Sequence, residues 1–183
     1  MIAPRAAKGR KKAAKKVTKK PAGARSAAPT RASLGRKVPD ITLPVTGGRD
    51  LRLRDLRGRK LVLYFYPRDN TPGCTLESQQ FAALAPQFER AGVALLGVSR
   101  DSIASHDRFR KQHSLPFDLL SDPEERACRL FDVIREKKLY GRTMLGVERS
   151  TFLIDAEGTL RREWRRVKVE GHAREVLESA RSL

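Results

Sequence analysis

Before Pro39 apolar residues form no periodic pattern; after it they arrive as short continuous runs alternating with longer runs at helical spacing. Leu61-Val62-Leu63-Tyr64-Phe65-Tyr66, closed by Pro67, has the continuous apolar and aromatic character of a strand covered on both faces. Val93-Ala94-Leu95-Leu96-Gly97-Val98-Ser99 repeats it. Between them, Cys74 to Ala91 carries Phe81, Leu84 and Phe88 at helical spacing, which predicts strand, helix, strand with the two strands parallel. Pro86 is expected to kink or divide that helix.

A second helix is predicted from Ile103 to His113, capped by Asp101 or Ser102, then a short strand over Phe117 to Leu120. Asp122-Pro123-Glu124-Glu125 supplies an N-cap, an N1 proline and acidic first-turn residues for a third short helix ending near Phe131. Thr151 to Ile154 and Thr159 to Trp164 flank Asp155-Ala156-Glu157-Gly158, a hairpin signal. A last helix over His172 to Ser182 would bury Ala173, Val176, Leu177 and Ala180. The fold class is α/β, a mixed central sheet with helices on both faces.

Charge divides the chain. The formal net charge is +18, but residues 1 to 37 hold 13 Lys or Arg and no Asp or Glu, leaving 26 basic against 21 acidic residues beyond Lys37. Residues 1–36 are therefore expected to form a disordered basic tail, with almost nothing to bury and strong self-repulsion, and residues 37–183 a single domain. Two cysteines, Cys74 and Cys128, are too few for a disulfide scaffold or a thiolate zinc site and suit a reducing, cytoplasmic setting. No cofactor is expected. The N-terminus lacks the apolar stretch of a secretory signal, and no run approaches the roughly 20 apolar residues that span a bilayer.

The chemistry centres on Cys74. Tyr66-Pro67-Arg68-Asp69-Asn70-Thr71-Pro72-Gly73-Cys74-Thr75 is a turn-rich loop between a buried strand and a helix, at the carboxyl end of the strand, where open α/β sheets place their sites. A cysteine in a first helical turn meets free N–H groups and the positive end of the helix dipole, both of which favour thiolate. Pro72-Gly73 suit a close approach of backbone to whatever the sulfur attacks, and the Thr71 hydroxyl can accept one hydrogen bond while donating another.

The spacing of Pro67, Thr71 and Cys74 resembles the peroxiredoxin pattern of proline, three residues, threonine, two residues, cysteine. Tyr64-Phe65-Tyr66-Pro67 with Asp69 to Thr75 is similar to the bacterioferritin comigratory protein or PrxQ branch. So are Tyr140-Gly141 and Gly146 to Asp155, and the resemblance covers about Val38 to the C-terminus. It implies a thioredoxin-like fold and a thioredoxin-dependent thiol peroxidase acting on hydrogen peroxide and alkyl hydroperoxides. It further implies Cys74 as peroxidatic nucleophile, Thr71 and backbone N–H groups as peroxide ligands, Arg149 as the cation beside the sulfur and Pro67 as a shield.

The pattern breaks at the resolving cysteine. Five residues after Cys74 stands Gln79, and about one helix later Arg110. Cys128 is the one remaining thiol; beside Ala127, Leu130 and Phe131 it is read as a buried structural thiol, with a resolving role as the weaker alternative. The expected mechanism is therefore single-cysteine, with glutathione and glutaredoxin, or thioredoxin, as the reductant, in a monomer or weak dimer.

His106, His113 and His172 are read as helix-surface residues, and Glu77 as a complement to the helix N-terminus rather than a hydrogen-bonding partner at the site. The tail, with Lys11, Lys12, Lys15, Lys16, Lys19 and Lys20, resembles the Lys/Ala/Pro-rich tails of linker-histone type proteins. It is expected to bind DNA, RNA or other polyanions without sequence preference, which would associate the protein with the nucleoid. The competing function class is a nucleic-acid-associated protein in which the thioredoxin-like domain is mainly structural.

Overall fold

The structure, a computed structural model, describes residues 31–139 and 142–183. Lys11, Lys12, Lys15, Lys16, Lys19 and Lys20 of the basic tail lie outside the described residues. Strands β1 (Thr42–Val45), β2 (Arg49–Arg52), β3 (Lys60–Phe65), β4 (Val93–Ser99), β5 (Asp118–Ser121), β8 (Ser150–Ile154) and β9 (Leu160–Trp164) form one sheet in the order β2-β1-β5-β4-β3-β8-β9. The three central strands are parallel, while β1 and β8 pair antiparallel to β5 and β3. Helices α1 (Pro72–Arg90), α2 (Ile103–Gln112), α3 (Arg126–Leu130) and α4 (His172–Arg181) surround it, and β6 (Ile134–Leu139) and β7 (Arg142–Val147) form a separate ribbon. This is the mixed α/β architecture that the sequence pattern predicts, and the thioredoxin-like fold that the family resemblance implies.

Strand period places the core. Leu61, Leu63 and Phe65 face one apolar layer with Cys128, Leu130, Phe131 and Phe152, and Val62, Tyr64 and Tyr66 face the other with Cys74, Phe81, Phe88, Val176 and Leu177. All six residues from Leu61 to Tyr66 are buried, as a central parallel strand requires. Tyr64 crosses over Gly97 of β4, where any Cβ would meet its ring at 2.7 Å.

Several local expectations need correction. Helix α1 begins at Pro72 and runs through Pro86 as one helix, undivided, with Phe81 and Phe88 buried on either side of the proline. The third helix starts at Arg126, preceded by Glu125 at φ 58°, so Asp122 does not occupy the N-cap. Its carboxylate nonetheless accepts from Arg126 N and Cys128 N, both at 2.8 Å. His106 and His172 are buried rather than on the surface, because the faces that carry them pack on the sheet.

The N-terminal arm is joined to the domain ahead of Val38. Ala32 N donates to Leu130 O at 2.9 Å, Gly35 N to Leu160 O at 2.8 Å, Leu160 N to Arg36 O at 3.0 Å, and Val38 N to Gly158 O at 2.9 Å. Among the described residues no helix is long and apolar enough to cross a membrane.

Candidate active site

Strand β3 ends at Phe65, and the loop from Tyr66 carries the chain to α1. Asp69 anchors that loop from inside. It is buried and takes hydrogen bonds from Tyr66 Oη (2.8 Å) and Ser105 Oγ (2.7 Å), with His106 Nδ1 at 3.0 Å. Burial alone would raise its carboxyl; the hydrogen bond and charge of His106, with Ser105 and Tyr66, outweigh this and hold it below the ordinary value. The Asp69 N–H in turn donates to Asp101 Oδ2 at 2.9 Å, and the following Asn70 turns the chain at φ 57°.

Thr71 is the N-cap of α1 by backbone, at φ −88° and ψ 146°, and its hydroxyl donates to Arg68 O at 3.2 Å, not to the helix. Having donated there, the oxygen can still accept from an incoming O–H. Pro72 follows as a first-turn proline, and Cys74 lies in the same turn. The N–H groups of Gly73 and Cys74 are among those that a helix leaves without an internal acceptor. Cys74 is 1% exposed, Pro67 and Thr71 are half-buried.

Arg149 arrives from the other side, immediately before β8. Its Nη2 lies 3.4 Å from Cys74 Sγ, and its Nη1 bonds Glu77 Oε2. The approach depends on Gly73, since a Cβ there would stand 3.3 Å from Arg149 Nη2. The structure thus brings Cys74 and Arg149 into contact, with Thr71 in the same helical turn and Pro67 at the head of the loop.

Glu77 departs from the sequence reading. It is buried and paired with Arg149, not an exposed complement to the helix end; its Oε1 has no hydrogen-bond partner. Burial pushes its carboxyl up to about 7, against the pull of Arg149. The available signal was its spacing: three residues after Cys74 is the same helix face. His172 sits behind, with Nε2 2.8 Å from Thr151 Oγ1; burial, joined by the Arg149 charge and opposed by Glu175, pushes it down to about 4.

Cys128 is not brought to the site. It lies in the apolar layer on the opposite face of the sheet from Cys74, and burial with Asp122 pushes its thiol well up. Gln79 is exposed near His113, and Arg110 pairs with Asp118.

A buried cysteine in a first helical turn, faced by a guanidinium on this fold, defines a thiol-based peroxidase. The family model described as AhpC/TSA matches residues 34–163, and the chain belongs to that family, in its Bcp or PrxQ branch of peroxiredoxins. Peroxiredoxin Bcp of Xanthomonas campestris is 51% identical over 143 residues, covering 78% of this chain and 89% of the relative. That of Bacillus subtilis is 44% identical over 150 residues, covering 82% and 96%.

Among solved structures, Xanthomonas campestris peroxiredoxin Q superposes with a TM-score of 0.75 at 51% identity, covering 78% of this chain and 90% of that one. A cysteine-to-serine mutant of Xylella fastidiosa PrxQ gives 0.79 at 42% identity, covering 84% and 98%. Another structure describes the alkyl peroxide reduction activity of the Xanthomonas bacterioferritin comigratory protein through a trapped intermediate. These relatives give no support to a mainly structural, nucleic-acid-associated domain.

Proposed function

We propose that this chain reduces hydrogen peroxide and alkyl hydroperoxides through Cys74 by a single-cysteine mechanism, with an external thiol as reductant. The observation that carries the reading is the contact of Arg149 Nη2 with Cys74 Sγ at 3.4 Å in the first turn of α1. The guanidinium and the helix end both stabilise negative charge on the sulfur and on the oxygen that departs.

The thiolate attacks one peroxide oxygen; an S–O bond forms, the O–O bond breaks, and its electron pair leaves on the other oxygen. That alkoxide or hydroxide takes a proton from solvent and departs as alcohol or water, while Cys74, oxidised by two electrons, becomes a sulfenic acid. Thr71 orients the peroxide through its free acceptor capacity, Arg149 steadies the developing charge, and Pro67 covers the loop. A first external thiol condenses with the sulfenic acid to a mixed disulfide and water. A second releases the Cys74 thiol, and glutathione with glutaredoxin, or thioredoxin, fits this chemistry.

Placement of Cys128 behind the sheet supports an external rather than an internal resolving thiol. The test mixes reduced protein with one equivalent of peroxide and follows peroxide loss and protein mass. Consumption is expected to vanish in Cys74→Ser and persist in Cys128→Ser, with a sulfenic acid in the parent protein. An intramolecular disulfide abolished by Cys128→Ser would overturn the single-cysteine reading.

The basic tail adds a second property. Thirteen cations and no carboxylate in the first 37 residues support nonspecific polyanion binding, with log K falling as log salt rises at a slope near −5 if about 6 of them meet phosphates.

A further inference from the structure

The tail does not join the domain at a neutral place. Arg36 and Lys37 are exposed on the arm that runs beside the β8–β9 turn, where Lys37 bridges Thr159 and Val38 N donates to Gly158 O. The loop before β3 comes to the same turn: Gly58 N donates to Ala156 O at 2.9 Å, and a Cβ on Gly158 would lie 3.3 Å from Arg57 Nε. Arg57, exposed, therefore stands beside Arg36 and Lys37 at one end of the sheet, and Arg59, also exposed, follows two residues on at the same end, lining a groove with Glu89 and Val93.

Charge pairing leaves these four cations unused. Asp40 is taken up by Arg52 and Arg54, Asp55 by Arg54, and Asp155 by Arg161. Among the described residues, Arg36, Lys37, Arg57 and Arg59 have no carboxylate within ion-pair distance; Glu157 in the β8–β9 turn and Glu89 in the groove beside Arg59 are the acids near them that form no ion pair. Ten further cations and no acid precede Arg31 in the chain.

This pole faces away from the site. Cys74 follows the carboxyl end of β3, whereas Arg57 and Arg59 precede its amino end, and six residues of strand separate the two by about 17 Å. On the antiparallel β8 the relation repeats, with Arg149 just before the strand and Glu157 and Gly158 just after it.

The kind of polyanion follows from what is missing around the cations. No aromatic residue precedes Tyr64 in the sequence, and Phe88 and Phe117, which line the groove beside Arg59, are buried, so neither tail nor pole offers an exposed ring for base stacking or for a membrane interface. Trp164, the one tryptophan, is engaged elsewhere: its Nε1 donates to Glu175 and the Arg162 guanidinium lies 4.9 Å above its ring. Cations without stacking groups suit the regularly spaced phosphates of a duplex.

We propose that Arg36, Lys37, Arg57 and Arg59 form a duplex-backbone contact surface continuous with the basic tail, on the end of the domain opposite the peroxidatic cysteine. This rests on the tail's reading as a polyanion binder and extends it to the folded domain. Bound duplex would then leave Cys74 open to peroxide.

The test compares the full chain with a variant carrying Arg36→Gln, Lys37→Gln, Arg57→Gln and Arg59→Gln, titrated with a labelled mixed-sequence DNA duplex between about 50 and 200 mM salt. Each phosphate contact contributes about 0.9 to the salt slope, so the variant's slope should be shallower by about 3 to 4. Its peroxide consumption should equal the parent's, which also certifies its fold, and saturating duplex should leave the parent's consumption unchanged. A parent that binds with the same slope as the variant sinks the pole and leaves the tail. A parent with no salt-dependent binding sinks both, and preference for single strands over duplex overturns the backbone assignment.

Discussion

Buried Glu77 and partly buried Arg149 form an ion pair one turn along α1 from Cys74, and the same guanidinium that holds the carboxylate also touches the sulfur. One Glu77 oxygen is bonded and the other is without a partner, so the pair fixes Arg149 while leaving the carboxylate incompletely solvated. The cation at the site is thus set by a residue that itself resists ionisation.

This arrangement predicts an unusual pH dependence of stability. The Glu77 carboxyl, held up to about 7 by burial, binds protons in the folded state that it releases in the unfolded chain above its ordinary value of 4.5. Its contribution is therefore fully present below the unfolded value and is lost as pH rises toward 7, by up to about 3 kcal/mol. Urea unfolding at pH 5 and pH 8 should show Glu77→Gln gaining stability relative to the parent at the higher pH. Parallel profiles for the two proteins would contradict it.

Arg149→Ala should lower the rate of peroxide reduction by about two to three orders of magnitude, the usual cost of removing a preorganised donor. Arg149→Lys should recover only part, because an ammonium cannot present a planar fork to the sulfur and Glu77 together. Single-turnover peroxide consumption measures both; parent-like rates in Arg149→Ala would remove Arg149 from the chemistry.

Gly73→Ala tests the fit around that guanidinium more gently. The new methyl would lie 3.3 Å from Arg149 Nη2 and must move it by a few tenths of an ångström. A roughly three- to tenfold slower reaction is expected with an unchanged melting temperature, since misplacement by about 1 Å can cost a hundredfold. An unchanged rate would show that Arg149 has room to spare.

Removing Asp69 should act on the fold before the chemistry. Asp69→Ala strips acceptors from Tyr66, Ser105 and His106 in a buried network, and such losses cost about 3 to 5 kcal/mol. Thermal unfolding should fall by well over about 5 °C. Loss of activity without loss of stability would instead mean that Asp69 serves the reaction directly.

The central strands are legible in sequence because burial on both faces writes unbroken apolar runs, as in Leu61 to Tyr66 and Val93 to Ser99. β1 and β2 escape because each is four residues long, one interrupted by Pro44 and the other rich in charge. Gly47-Gly48 between them was the usable turn signal. The β6–β7 ribbon escapes because Arg135-Glu136-Lys137-Lys138 carries no apolar alternation.

At the site, Pro67, Thr71 and Cys74 are contiguous enough to form a motif. Arg149 is 75 residues away from Cys74, and only the β3–β8 pairing delivers it. The buried Asp69–His106 pair likewise joins a loop to a helix 37 residues on, beyond what local pattern can express.

The arm from Ala32 to Val38 has one more effect. A seven-stranded open sheet has two raw margins that invite a second molecule to add a strand. At β2 the margin is armed with Arg49, Asp50 and Arg52; at β9 the arm itself takes the hydrogen bonds of Leu160, from Gly35 and Arg36. The segment that tethers the cationic tail thus doubles as a selvedge, and a chain begun after Lys37 would leave β9 frayed toward its neighbours.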